Sequence, residues 1–266
     1  LSDLTKGDLT PAAVPQATAV ATRYGDPMTR LGKPTGPKPG FSRADVVEAA
    51  LALGVADFTL TAVAERLGVA VSGLYRTISS REDLLIACLE RIAARMSLSR
   101  TGVTWQEVIR AHAMSLWALL ERYPGLAGVI MSVPWAHQLF AAPLAQAHQD
   151  LIDRGLDGED AGVLLDFVGD TVIATHAQVE VMRSPITRSR TLSSPGATDD
   201  AVPGGHRADL TGLEEARRFA TTAGESPMPA VLSPDDSWIG RGGLDRKIEI
   251  IIRGVECSTR GAGLAP

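Results

Sequence analysis

A chain of 266 residues with a formal net charge of −5 and 45% apolar residues can bury a substantial core, as one large domain or two smaller ones. No apolar run approaches a membrane-spanning length, and no basic segment precedes a long apolar one, which argues against a membrane partner and against a signal peptide. Cys88 and Cys257 lie far apart without metal-ligand spacing, so the expectation is two reduced thiols in a cytoplasmic protein.

The charge is unevenly spread. Residues 28–96 carry nine Lys or Arg against seven Asp or Glu, an excess of +2, whereas residues 97–266 carry −6 and residues 1–27 carry −1. A basic front and an acidic remainder suit a protein that meets a polyanion through one end only. Residues 1–27, rich in Ala, Thr and Pro and without sustained period, read as disordered. Met28, at the edge of the recognisable region, is a candidate natural start. Residues 30–43, RLGKPTGPKPGFSR, place Arg30, Lys33, Lys38 and Arg43 among prolines and glycines that forbid a helix. Such an extended basic arm can follow phosphates or enter a minor groove; residues 1–40 are therefore expected to be a disordered or basic arm.

The first helix is expected from the N-cap Ser42 to Leu53, closed by Gly54, with Val46, Val47, Ala50 and Leu53 on its apolar face. A short amphipathic segment, Leu60 to Leu67, ends at Gly68. A second short segment starts at Val71, and a third opens with Arg81, Glu82 and Asp83 behind Ser80. Ala64 is small where two helices must cross, and Val63, Leu67, Val69, Leu74 and Ile78 supply a buried face. This is the layout of a helix-turn-helix, whose second helix can lie in the DNA major groove.

GVAVSGLYRTISSREDL resembles the recognition helix and following helix start of the tetracycline-repressor (TetR) family, through Gly68, Val69, Leu74, Tyr75, Arg76, Ser80, Glu82 and Leu84, with Arg81 in place of a lysine. SRADVVEAALALGVADFTLTAVAERLG resembles that family's first two helices. The resemblance covers residues 41–96 and departs at Ala70, Val71 and Thr77, where Ser, Lys and His are common. Ala70 cannot cap the recognition helix through a side chain, and Arg76 is that helix's single cation. What the resemblance implies is an all-α homodimer. A helix-turn-helix head with its linking helix (residues 41–96) would bind a double-stranded DNA operator. A larger helical domain (residues 97–257, with a tail at 258–266) would dimerise and bind a small-molecule effector. Expected DNA contacts are Thr59, Thr61, Val71, Ser72, Gly73, Tyr75 and Arg76, with Lys33, Lys38, Arg43 and Arg81 positioning the backbone.

Beyond the head, Trp105, Val108, Ile109, His112, Leu116, Leu119, Leu120 and Tyr123 follow a helical period until Pro124-Gly125. A short segment, Leu126 to Val133, stops at Pro134. Helices are then expected over about Gln138 to Arg154 and Glu159 to Met182. Residues 184–236 are Pro-, Gly-, Ser- and Thr-rich, too long for an ordinary connection, with a short helix expected around Leu213 to Thr222. Local propensity in IEIIIRGV favours a strand. The resemblance favours a helix with Ile248, Ile251, Ile252 and Val255 on one dimer-forming face, and no other strand offers a partner.

The body holds material for an apolar pocket: Met114, Trp117, Met131, Trp135 and Phe167, side chains that serve a plain core equally well. Asp166, Asp170, Thr171 and His176 interrupt a long apolar helix; they face water, face a dimer partner, or orient a ligand. His112 on its apolar stripe is expected to be a hydrogen-bonded pocket or core histidine. His137 and His148 would share a face if their helix is unbroken, which Pro143 opposes. No paired metal-ligand motif, nucleophile elbow, phosphate-binding loop or dinucleotide fingerprint is present, so neither a cofactor nor catalysis is expected. What the resemblance implies is a repressor released from a palindromic operator by a small ligand. The alternative is a helical ligand-binding or scaffolding protein with weakened DNA recognition.

Overall fold

In a computed structural model the described residues are 40–96, 104–186, 210–222, 229 and 232–262, with side chains described to Ser258. The expectations for residues 1–27, for the arm cations Lys33 and Lys38, and for most of 184–236 fall outside them. Residues 39–266 form one compact unit. Among the described residues the regular elements are helices, ten of them α-helical.

The head is built from α1 (Arg43–Leu53), α2 (Leu60–Leu67), α3 (Val71–Leu74) and α4 (Arg81–Ala93). Its boundaries follow from capping chemistry. Ser42 accepts from Asp45 N while Asp45 returns a bond to the Ser42 amide, and Thr59 and Ser80 accept from Ala62 N and Asp83 N. Gly68 closes α2 in the left-handed conformation (φ 68°), which a Cβ would disfavour. Ala70 starts α3 without a side-chain cap. Val46, Ala50, Val63, Leu74, Ile78, Leu84 and Leu89 are buried against one another, and Leu67 and Val69 half-buried beside them.

The body comprises α5 (Trp105–Arg122), α6 (Leu126–Ser132), α7 (Ala141–Ile152), α8 (Gly158–Arg183), α9 (Gly212–Thr222) and α10 (Leu244–Ala262). Thr104 and Glu107 form a reciprocal capping box on α5, and Asp157 caps α8. α8 is the centre of the body: α5, α6, α7, α9 and α10 all pack on it. The helix expected from Gln138 instead begins as a 3-10 turn, Ala136–Phe140, and becomes α-helical only at Ala141. Pro143 thereby falls in the first turn of α7, where its missing N–H costs no hydrogen bond. The same 3-10 turn packs on α4, tying head to body.

α10 is helical despite its β-branched run. Leu244, Ile248 and Ile252 are buried in the chain's own core, Ile251 and Val255 are half-buried, and Ile250 is 56% exposed. The expected single dimer face is thus corrected: Ile248 and Ile252 turn inward, and Ile250 joins the outward set. Among the described residues no helix is long and apolar enough to cross a membrane.

Candidate nucleic-acid interface and effector cavity

The exposed residues of α2, α3 and the turn after them include small polar groups and the cations Arg66 and Arg76. Thr59, Thr61, Ser72, Tyr75 and Arg76 are exposed, Tyr75 by 54%, while Val71 and Gly73 are half-buried. A Cβ at Gly73 would make only an ordinary contact, 4.0 Å from the Val69 Cβ. α3 is a single turn, and the chain continues through Tyr75 in tight turns, with Thr77 and Ile78 amides both donating to Leu74 O. The Arg76 side chain has no hydrogen bond or ion pair among the described residues, which leaves its guanidinium available to a phosphate or base edge.

Two other head cations, Arg43 and Arg81, are engaged within the head. Arg43 makes a two-pronged contact with Asp83 (2.6 and 3.0 Å) and donates to Thr77 O at 2.9 Å. That pairing, with the Ser79 amide, holds the Asp83 carboxyl down at about 2. Arg81 donates to Phe58 O and Ala56 O, both at 3.3 Å, and its guanidinium lies over the Phe58 ring, 4.8 Å from the centroid. Both side chains brace the three-helix head; neither extends freely toward a duplex.

Behind the head lies a cavity of about 930 Å³ between α5, α6, α7, α8 and the 3-10 turn. Met96, three residues past the end of α4, forms part of its wall, so the helix that leaves the head reaches the cavity directly. Leu116, Ile130, Met131, Phe140 and Leu144 make most of the surface apolar. His112 is 2% exposed, and neither ring nitrogen has a hydrogen-bond partner. Burial pushes its imidazole down to about 4, so the ring is neutral near pH 7. A separate open groove of about 620 Å³ runs along α8 and α10, lined by Val163, Phe167, Thr171, Ile250, Ile251 and Val255. Among the described residues no group of three His, Cys, Asp or Glu could hold a metal ion.

No protein-family model matches the chain. Over 90 residues, 31% of its length, it is 35% identical to the class D tetracycline repressor protein of Escherichia coli and to the class H protein of Photobacterium damsela subsp. piscicida. The chain spans 41% of the length of these curated relatives. Among solved structures it resembles a possible TetR family transcriptional regulator from Streptomyces coelicolor A3(2), with a TM-score of 0.55 at 21% identity over 82% of this chain and 100% of that one. ActR from Streptomyces coelicolor matches in its apo form with a TM-score of 0.54 at 17% identity, over 84% and 98% of the two chains. In complex with actinorhodin it matches with a TM-score of 0.55 at 19% identity, over 83% and 97%. The chain has the fold of these TetR-family structures. Residues 41–96, on which the sequence resemblance rests, are the three-helix head and its linking helix.

Within this TetR fold the expected pocket residues divide into three places. His112, Met131 and Asp170 line the cavity. Phe167 and Thr171 belong to the α8–α10 groove. Met114, Trp117 and His176 gather at the turn before α10, where Arg241 donates to Met114 Sδ and lies 5.2 Å over the Trp117 ring, itself edge-on to His176 at 4.8 Å. His176 is buried between Glu121 (3.7 Å) and Glu180 (3.8 Å). Trp135 is half-buried against the core and lines neither space. The expectation of a hydrogen-bonded His112 is corrected, since both its ring nitrogens are buried without a hydrogen-bond partner.

The cavity also takes residues that were read as something else. His137 and His148 do border one space, although the 3-10 turn breaks their helix; His148 Nε2 is 2.8 Å from Gly158 O. On α8 the stripe Gly162, Leu165, Asp166, Gly169, Asp170 and Ile173 forms a wall. Its spacing of three and four residues was a legible signal, masked by the two glycines that make room there.

Proposed function

We propose that the chain is a homodimeric, DNA-binding transcriptional regulator of the cytoplasm, a repressor released from a palindromic operator when a small molecule fills the cavity behind the head. The observation that carries this reading is the position of Met96. One helix, α4, begins beside the exposed Tyr75–Arg76 face and its chain ends in the cavity wall, so an occupant that displaces Met96 pushes on the element that sets the head. Thr59, Thr61, Val71, Ser72, Gly73, Tyr75 and Arg76 would meet the major groove, and Lys33 and Lys38 the backbone. A ligand acts only through its difference in affinity for the two head arrangements.

The α8–α10 groove supports the dimer. Val163, Phe167 and Ile250 are each more than half exposed along an apolar stripe, and a second copy's α8 and α10 would cover it. Two heads on a two-fold axis require half-sites about one helical turn apart, roughly 34–36 Å, or a multiple of it.

Fluorescence anisotropy of the full chain on the duplex upstream of its own coding region, at two salt concentrations and against an unrelated duplex, tests this reading. Salt-steep, sequence-dependent binding is expected. No preference there or in a selection from random duplexes would sink it. The second reading, a ligand-binding or scaffolding protein that has lost strong DNA recognition, is favoured by one observation. Arg43 and Arg81 are tied inside the head, which leaves α3 and its turn with Arg76.

A further inference from the structure

The effector cavity has a charge pattern that narrows its ligand. Three of its polar side chains are imidazoles, two are the carboxylates of Asp166 and Asp170, and among the described residues no lysine or arginine lines it. Asp166 and Asp170 stand one turn apart on α8, both exposed, their carboxylates with no hydrogen bond or ion pair among the described residues. His112 lies at the opposite extreme of burial, with two unpartnered ring nitrogens. A buried polar group without a partner is costly, so this ring is held in want of a hydrogen bond that the protein does not supply. Between the two polar ends the walls are aliphatic, aromatic and methionine, and about 930 Å³ accommodates a drug-sized molecule.

We propose that this cavity takes a lipophilic amine. Its apolar body would fill the space between Met131, Phe140 and Leu144, a hydroxyl or carbonyl would bond His112 at the buried end, and its protonated nitrogen would sit at Asp166 and Asp170 at the exposed end. An anionic ligand of the same size would meet two carboxylates and, among the described residues, no compensating cation. The inference rests on the cavity being the effector site, and it deepens that reading by naming the ligand class.

Calorimetric titration of the full chain without DNA tests it, using propranolol, a naphthyl amino alcohol, against naproxen, a naphthyl carboxylic acid of similar size. Propranolol is expected to bind and naproxen to bind at least about tenfold more weakly. Asp166→Asn with Asp170→Asn should cost propranolol about tenfold and leave naproxen no weaker. Gly169→Leu, whose Cβ would meet nothing within 4 Å, should fill the cavity and abolish both while the protein remains folded. Naproxen binding as tightly as propranolol, or amine affinity indifferent to the aspartate pair, overturns the inference. So does failure of both propranolol and quinacrine to bind at millimolar concentration. Because DNA is absent, a failed operator assay leaves this result standing; an amine that binds but does not release DNA removes the effector role and keeps the ligand class.

Discussion

The amide of Gly125, at the start of α6, donates a 2.8 Å hydrogen bond to Glu180 Oε1 on α8 while its bare Cα faces Ala56 in the turn between α1 and α2. Head and body touch here with only the Ala56 methyl between their backbones. On the head side, the carbonyl of the same Ala56 accepts from Arg81 at the start of α4. On the body side, Glu180 lies 3.8 Å from the buried His176. One contact thus joins the helix-turn-helix turn, the linking helix and the central body helix.

Gly125→Ala should therefore be far more damaging than an exposed glycine substitution. Its φ of 82° disfavours any Cβ, and the added atom would lie 2.7 Å from the Ala56 Cβ. Strain and overlap together should cost about 2–4 kcal/mol, read by urea unfolding. Adding Ala56→Gly should recover the overlap part and leave the φ part. An unchanged unfolding midpoint in the single variant would show that the two surfaces do not press together.

Much of this arrangement was legible in the chain, and for identifiable reasons. Ser42, Thr59, Ser80 and Gly68 mark helix ends because capping is local chemistry that a few residues fully specify. The start of α7 was misplaced because periodicity does not distinguish a 3-10 turn from an α turn, and Pro143 was read as a breaker rather than a first-turn residue. Trp117 and His176 were assigned to a pocket that they do not line. A stripe at helical spacing says that a side chain turns inward, not which interior it meets. Arg43 and Arg81 read as phosphate ligands because their intramolecular acceptors, Asp83 and the Ala56 and Phe58 carbonyls, are distant in sequence or carry no side-chain signal.

The Arg43–Asp83 pair makes a pH prediction of definite sign. With its folded carboxyl near 2 and the unfolded group in the ordinary range near 3.8, Asp83 stabilises the fold fully above that range. The contribution is lost as pH falls through about 2. Arg43 is 45% exposed, so solvent screening limits the pair to about 1 kcal/mol. Asp83→Asn should lower stability by that amount at pH 7 and by almost nothing at pH 2. An equal loss at both pH values would attribute the effect to helix capping rather than charge.

Arg76→Ala is expected to weaken operator binding about equally across sequences and to reduce the salt slope by about 1, the signature of one lost phosphate contact. If the effect is instead confined to particular base pairs, the guanidinium reads a base edge. Thermal stability should stay within about 0.5 kcal/mol, because the side chain is exposed and unpaired among the described residues. Unaltered DNA affinity and slope would remove Arg76 from the interface.

On α10, neighbouring isoleucines should behave oppositely. Ile250, 56% exposed in the α8–α10 groove, when changed to Glu should give a folded monomer by light scattering, with weakened DNA binding. Ile252→Glu places a charge at a site 1% exposed within the chain's own core and should unfold the protein. A dimeric Ile250→Glu protein would locate the interface elsewhere.

His112 offers the sharpest separation of function from stability. Its ring is buried at the cavity with no protein partner, so in the empty protein it costs stability rather than adding it. His112→Leu should leave the ligand-free protein as stable or up to about 2 kcal/mol more stable, while weakening whatever ligand the cavity holds. The pH dependence follows from the folded ring titrating near 4 against an ordinary 6.5 when unfolded. Stability from keeping this ring neutral is intact above 6.5 and declines as pH falls toward 4, by at most ~1.4 kcal/mol per pH unit. His176, also lowered mainly by burial, adds a decline of the same sign that the variant retains. Urea unfolding from pH 7.5 to 4.5 should therefore show a shallower loss in His112→Leu than in the parent. If the variant is less stable at every pH, the imidazole has a structural partner and the cavity loses its strongest polar anchor.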